Sequence, residues 1–142
     1  MLYKKILVAI DGSDAAEKAF EKALEVAKNN DAEIVLTHVI DVRTFASAGA
    51  YDRTLSERAE KYGKEILEEY VERAKKAGIE KVSTSLEYGS PKVIIAKEIA
   101  QEVEADLIVA GATGMNAVER FLIGSVTESI TRYAKCDVLI VR

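Results

Sequence analysis

One apolar segment and the turn that follows it restrict the possible folds more than any other part of the sequence. The run ADLIVA, Ala105 to Ala110, is apolar on both faces past Asp106 and passes without a polar spacer into Gly111. A strand that is apolar on both faces is typical of the centre of a parallel sheet that helices cover on both sides. The segment therefore predicts an α/β fold, with Gly111 at the carboxyl end of a central strand.

Two glycine turns follow this strand. Gly111 and Gly114 bracket a tight turn, and after nine further residues Gly124 and Ser125 open a helical pattern. A helix N-terminus has unpaired N–H groups and the positive end of the macrodipole, so it can hold a phosphate without a basic side chain. The hydroxyls of Ser125 and Thr127 are candidate additional donors.

The same residues also have a purely structural interpretation. Ser125 followed by Glu128 matches a capping box, in which the serine satisfies only its own helix. Loop glycines often do no more than turn a corner. These residues alone do not distinguish phosphate binding from helix capping.

Length and charge exclude several classes of protein. The chain has 142 residues and a net charge of −4, which suits one domain over residues 1–142 and argues against binding nucleic acid or anionic membranes nonspecifically. No run approaches a membrane span and no separate signal region precedes the first strand, so we expect a cytoplasmic protein. Cys136 is the only cysteine, which excludes an intramolecular disulfide.

Apolar periodicity predicts alternating strands and helices. Ser13 or Asp14 is expected to cap the first helix, Ser90-Pro91 to open a short third helix, and Gly78 to end a long second helix whose buried side includes Leu55 and Tyr62. The predicted strands are Lys5–Ile10, Ile34–Ile40, Val82–Glu87, Ala105–Ala110 and Val138–Val141. Glu33 is left outside the second strand because a carboxylate resists burial.

Every connection is long enough for a crossover helix, which predicts a doubly wound, five-stranded parallel sheet in the order 3-2-1-4-5 with helices on both faces. Ligands of such sheets bind beyond the carboxyl ends of the strands, where the winding reverses. That point brings Asp11, at the end of the first strand, beside Gly111, with a loop from Asp41 to Tyr51 at the same edge.

Four segments resemble the universal stress protein family, in its ATP-binding branch. They are KKILVAIDGS, THVID, the G-x-x-G-x9-G-S spacing from Gly111 to Ser125, and DVLIVR. The resemblance covers nearly the whole chain.

The resemblance implies an ATP site at this sheet edge, with Mg²⁺ or Mn²⁺ as the accompanying ion. The residues expected at the adenosine end are Ala9, Asp11 and Val39. Those expected at the ribose and α-phosphate are Gly111, Thr113 and Gly114. Those expected at the β- and γ-phosphates are Gly124, Ser125, Val126 and Thr127.

The chain departs from the family pattern after Gly114. Many relatives have a basic residue there, whereas this chain has Met115-Asn116. Neutralisation of the phosphate charge is therefore expected from the backbone, from Arg120 or from a divalent ion.

Other nucleotide-binding and catalytic classes fit poorly. The chain has no Walker GKS or GKT ending, and no G-x-G-x-x-G after the first strand. A response regulator would need an aspartate after the third strand, which here ends in Glu87-Tyr88-Gly89. His38 is a single histidine at the end of an apolar strand, without an accompanying acid or nucleophile, so we interpret it as structural.

The favoured function is an ATP-binding regulatory module that is read by a protein partner. Slow ATP hydrolysis is an alternative, although the motif supplies no evident side chain to position water. A nucleotide-free dimeric stress protein is a third interpretation. The terminal strand is expected at a sheet edge, where it has no proline or inward charge to block pairing, and we expect a homodimer through it.

Overall fold

The computed structural model describes residues 2–42, 53–113 and 123–142, in which strands and helices alternate. The strands are β1 (Lys5–Ala9), β2 (Glu33–Asp41), β3 (Val82–Gly89), β4 (Leu107–Gly111) and β5 (Asp137–Val141). The helices are α1 (Asp14–Asn30), α2 (Arg53–Lys76), α3 and α4 (Ser125–Tyr133). Helix α3 consists of α-helical Pro91–Ile94, a π-helical turn Ile95–Ile99 and α-helical Ala100–Glu102. Most of the predicted loop from Asp41 to Tyr51 lies outside the described residues.

The strands form one parallel sheet in the order β3-β2-β1-β4-β5. In the register of the central strands, Leu7 pairs with Val35 on one side and with Ile108 on the other. The predicted fold class and the predicted strand order 3-2-1-4-5 are both confirmed. Since β1 and β4 are neighbours whose helices lie on opposite faces, the winding reverses between them.

The core lies in two layers, one on each face of the sheet. Ile6 and Val8 of β1 pack with Phe20 of α1 and Tyr70 of α2. Leu7 faces the other way and shares a cluster with α3 and α4. This alternation follows from the two-residue period of a strand, and it places α1 and α2 on one face and α3 and α4 on the other.

Charged contacts fix α2 against α1. The Arg73 guanidinium pairs with the Glu17 carboxylate and lies 4.7 Å from the centre of the Tyr70 ring. Hydrogen bonding to Arg73 lowers the pKa of the Glu17 carboxyl. The C-terminal half of α2 is thereby held against α1.

Two local predictions were wrong. Glu33 is the first residue of β2, because it stays partly exposed with its carboxylate 3.9 Å from the Lys5 ammonium. Leu55 and Tyr62 were expected in the core, but their exposed fractions are 37% and 48%. Both lie in the first half of α2.

Within the three described ranges, no helix is both long enough and apolar enough to cross a lipid bilayer.

Candidate functional site

A cavity of about 580 Å³ opens at the carboxyl edge of the sheet, at the predicted switch point. The ends of β1, β2 and β4 form its floor, and the starts of α3 and α4 form part of its wall. Nine residues of the expected nucleotide site line it: Ala9, Asp11, Val39, Gly111, Thr113, Gly124, Ser125, Val126 and Thr127. Gly114, the tenth, lies outside the described residues. Contact of these residues with a nucleotide stays a prediction.

The start of α4 shows that the capping-box interpretation was wrong. Gly124, not Ser125, is the N-cap residue, and no side chain in the described part of the chain caps this helix. Ser125 already has helical geometry, and the Glu128 carboxylate is 3.1 Å from the Arg132 guanidinium instead of reaching back to the helix start. In the described part of the chain the first-turn N–H groups therefore have no side-chain partner, and Gly124, Ser125, Val126 and Thr127 line the cavity.

Thr127 anchors this helix to the sheet. Its side chain is buried, and its hydroxyl donates a hydrogen bond of 2.6 Å to the carbonyl of Gly111. The hydroxyl hydrogen is thus committed to the protein, so the expected extra donor from Thr127 is its backbone N–H alone. Ser125 is exposed at the cavity wall, where its hydroxyl can still serve a ligand.

Gly111 has a packing role that the sequence did not reveal. A Cβ built on this residue would lie 2.7 Å from the backbone carbonyl carbon and oxygen of Ala15. Any side chain would therefore push α1 away from the end of β4. Glycine at this position keeps two neighbouring chain segments close together as well as leaving room beside the cavity.

The start of α1 is capped by side chains that immediately precede the helix. Ser13 is the N-cap residue, as one of the two predicted candidates, and its Oγ accepts a hydrogen bond from Ala16 N at 3.1 Å. Asp11 Oδ1 accepts hydrogen bonds from Ser13 N (2.9 Å) and Ser13 Oγ (2.5 Å). The Asp11 carboxylate is nevertheless exposed in the cavity, so it can still meet a ligand.

Two aromatic residues of the cavity wall were not predicted as site residues. His38 Nδ1 lies 2.7 Å from the carbonyl oxygen of Ile10, which only accepts, so Nδ1 carries the proton. The Tyr62 ring packs edge-on against His38 with centroids 5.9 Å apart. Because α2 passes very close to β2 at Gly63, where a Cβ would lie 2.9 Å from His38 Cδ2, Tyr62 reaches the cavity. Gly63 sits inside a helical pattern, so no sequence signal distinguishes it.

The charged residues of the described lining are Asp11, Asp41 and Lys92. Lys92, in the first turn of α3, was not predicted as a site residue, because nothing in the sequence places it near the glycine turns. Among the described residues, no cluster of three or more His, Cys, Asp or Glu side chains could hold a metal ion. A divalent ion here would need the oxygens of a ligand.

Cys136 lies away from this cavity. Burial, and next the carboxylates of Asp137 and Asp106, raise the pKa of its thiol. A thiol that stays protonated is a poor nucleophile, which agrees with a packing role.

A parallel sheet with a ligand-sized cavity at its switch point defines a doubly wound α/β binding domain. A sequence profile of the universal stress protein family matches residues 2–142. The chain belongs to this family.

Individual relatives agree with this assignment. A Staphylococcus epidermidis protein described as a universal stress protein is 53% identical over 140 residues, which cover 99% of this chain and 84% of that protein. The structure of universal stress protein UspA from Lactobacillus plantarum is 31% identical with a TM-score of 0.85, covering 100% of this chain and 99% of that one. A universal stress protein solved in complex with cAMP is 30% identical with a TM-score of 0.75, covering 100% and 98%.

Proposed function

We propose that the protein is a cytoplasmic, ATP-binding regulatory module of one domain, in which bound nucleotide changes the surface that a partner protein recognises. The observation that carries the proposal is the start of α4, which lines the cavity and whose first turn has no side-chain cap among residues 2–42, 53–113 and 123–142. Such a terminus suits an anion, and a phosphate chain is the anion that fits a cavity of this size.

The lining on the α3 and α4 face supports a nucleoside as the rest of the ligand. Ala9, Val39, Ile95 and Ile130 give this part of the cavity an apolar surface, which suits a flat base. Asp11 stands at the rim, where a carboxylate can accept hydrogen bonds from ribose hydroxyls or a base amino group. The cAMP complex of a 30% identical neighbour supports an adenine nucleotide.

The phosphate end supports ATP with Mg²⁺ or Mn²⁺. Helix α4 supplies backbone donors and the positive end of its dipole, which is equivalent to about half an elementary charge. Since the triphosphate carries more negative charge than that, a divalent ion would neutralise part of the remainder. The described residues offer the ion few carboxylates, so it would be held mainly by the nucleotide and water.

Titration calorimetry tests this function directly. We expect heat of binding with ATP and Mg²⁺, a weaker signal with AMP, and a rise in the unfolding temperature at saturating ATP because a ligand stabilises the state it binds. Parallel titrations with GTP and cAMP report base and phosphate preference, and phosphate release over hours reports turnover. Absence of both heat and thermal shift with ATP, in Mg²⁺ and in Mn²⁺, would overturn the proposal.

We also propose that the protein forms a homodimer through β5. This strand pairs with β4 on one side, and Val138 and Ile140 in it are half-buried. Val141 O accepts from Ala112 N, so the peptide groups of odd-numbered residues face β4 and those of Val138 and Ile140 face the open edge. An antiparallel copy of β5 would satisfy that edge.

The Ile140→Pro variant tests the dimer. Proline at 140 removes a donor from the open edge without touching the β4 ladder, so we expect a folded monomer in place of the wild-type dimer. Analytical ultracentrifugation measures both proteins, and circular dichroism checks the fold. A wild type that sediments as a 15.5 kDa monomer contradicts the dimer, as does a folded variant that stays dimeric.

A further inference from the structure

We infer that Lys92 neutralises the phosphate chain of the bound nucleotide. This inference rests on the proposed function, because it assigns a role within the same cavity. Lys92 belongs to α3, whereas the second glycine turn opens α4. Lys92 can therefore reach the phosphates only if α3 packs beside α4.

The topology puts Lys92 level with the start of α4. Helices α3 and α4 each follow a parallel strand, lie on the same face and pack against each other. Ile95 and Ile130 meet in one apolar cluster, and both line the cavity. Lys92 is one turn before Ile95, and Val126 is one turn before Ile130.

The distance between the two helices is within the reach of a lysine. Packed helices have axes about 8–10 Å apart, and the lysine ammonium sits on a flexible four-carbon stem. Lys92 is among the residues that line the cavity, together with Gly124, Ser125 and Val126. Its charge can therefore stand in front of the α4 N-terminus, where the phosphates are expected.

Among the described residues, Lys92 has no ion-pair partner that accounts for its charge. It lies in the first turn of α3, where the helix dipole disfavours a cation, and that turn contains no acidic residue. No ion pair involves Lys92 over residues 2–42, 53–113 and 123–142. Lys97 of the same helix differs, because its ammonium lies 4.0 Å from the centre of the Tyr133 ring.

The glycine turns themselves supply little positive charge. Between Gly111 and Thr127 the only basic residue is Arg120. The dipole of α4 offers about half a charge. A lysine contributed from α3 supplies a full charge, at a site where Asp11 and Asp41 otherwise make the lining acidic.

Titration of a phosphate series tests this role. Affinities for adenosine, AMP, ADP and ATP are measured without metal on the wild type, Lys92→Gln, Lys92→Arg and the matched control Lys97→Gln. We expect Lys92→Gln to weaken ATP about tenfold or more, the usual size of a lost charged hydrogen bond. The loss should shrink through ADP and AMP and vanish for adenosine, while Lys92→Arg and Lys97→Gln stay near wild type.

Salt dependence gives a second readout that a merely structural residue would not change. Wild-type affinity for ATP should fall with added NaCl more steeply than that of Lys92→Gln, because the lost contact is electrostatic. An equal loss for adenosine and ATP would place Lys92 at the base and overturn the inference. Unchanged ATP affinity in Lys92→Gln would overturn it while leaving ATP binding intact, and a wild type that binds no nucleotide, either without metal or with Mg²⁺ or Mn²⁺, would overturn both proposals.

Discussion

Two helices begin at the same cavity, and their first turns are built differently. Helix α1 starts at Ser13, whose hydroxyl oxygen accepts from Ala16 N, and Asp11 in turn holds Ser13 through two hydrogen bonds. Helix α4 starts at Gly124, which has no side chain to offer. A side chain caps the start of α1, whereas within the described ranges none caps the start of α4.

This difference decides which helix can hold an anion. The macrodipole is similar for both helices, so charge alone does not distinguish them. Gly124 has φ −61° and ψ 152°, a backbone geometry that any residue adopts, so the position does not need glycine for its conformation. What distinguishes Gly124 from Ser13 is the lack of a side chain, so this N-cap cannot supply a capping oxygen at the cavity.

The largest expected effect comes from filling that space. Gly124→Val should lower ATP affinity by at least about 100-fold, roughly 2.7 kcal/mol, because the side chain would occupy the volume that the phosphates need. Calorimetry measures the affinity, and thermal unfolding checks that the fold is kept. ATP binding at wild-type strength by a folded Gly124→Val would show that the phosphates bind elsewhere.

Gly124→Ser makes α4 resemble α1 and is the matched control. The new hydroxyl can cap the helix, for which serine and glycine differ by only a few tenths of a kcal/mol, so stability should hardly change. We expect ATP affinity to drop less than in Gly124→Val, because the cap competes with the phosphate for a donor. A Gly124→Ser variant that binds ATP more tightly than wild type would contradict this competition.

Asp11→Ala should have an intermediate effect and tests the two ends of the site. Loss of the carboxylate is expected to weaken adenosine and ATP by about tenfold, the size of one charged hydrogen bond, with less effect on tripolyphosphate. The variant should also lose about 1 kcal/mol of stability because Asp11 holds Ser13. Equal weakening of adenosine and tripolyphosphate would show that Asp11 lies at the phosphate end.

The smallest effect on ATP binding is expected at the start of α1, which Ser13 caps. Ser13→Ala removes the cap of α1 and should lower the free energy of unfolding by about 1 kcal/mol, as measured in urea. Its ATP affinity should match the wild type, because Ser13 is buried and serves its own helix. A large loss of ATP affinity with unchanged stability would mean that α1, too, serves the ligand.

The strands and their order followed from sequence because both rest on strong local signals. Apolar runs of strand length, separated by helical repeats, left little choice of topology, and they brought Asp11 and Gly111 to one edge. The predicted helix from Ser125 is confirmed, but the capping-box interpretation placed its N-cap one residue too late, because the S-x-x-E pattern also fits a serine in the first helical turn. Tyr62 was placed in the core because helical periodicity does not distinguish a buried side chain from one that lines a cavity and stays partly exposed.

Lys92 and Gly63 could not be found from sequence for a different reason. Their roles depend on neighbours far along the chain: Lys92 on the start of α4, and Gly63 on His38 of β2. No spacing rule connects such residues. Only the packed structure brings them together.

The contact between Gly111 and Ala15 has an evolutionary consequence. The groups that a Cβ on Gly111 would strike include backbone atoms of Ala15, so no smaller neighbour at position 15 can make room. A mutation at 111 is therefore not rescued by a second mutation at 15, and the two positions should not covary among relatives that keep this packing. Gly124 instead lines the cavity, so a relative that binds no ligand there would be expected to lose Gly124 before Gly111.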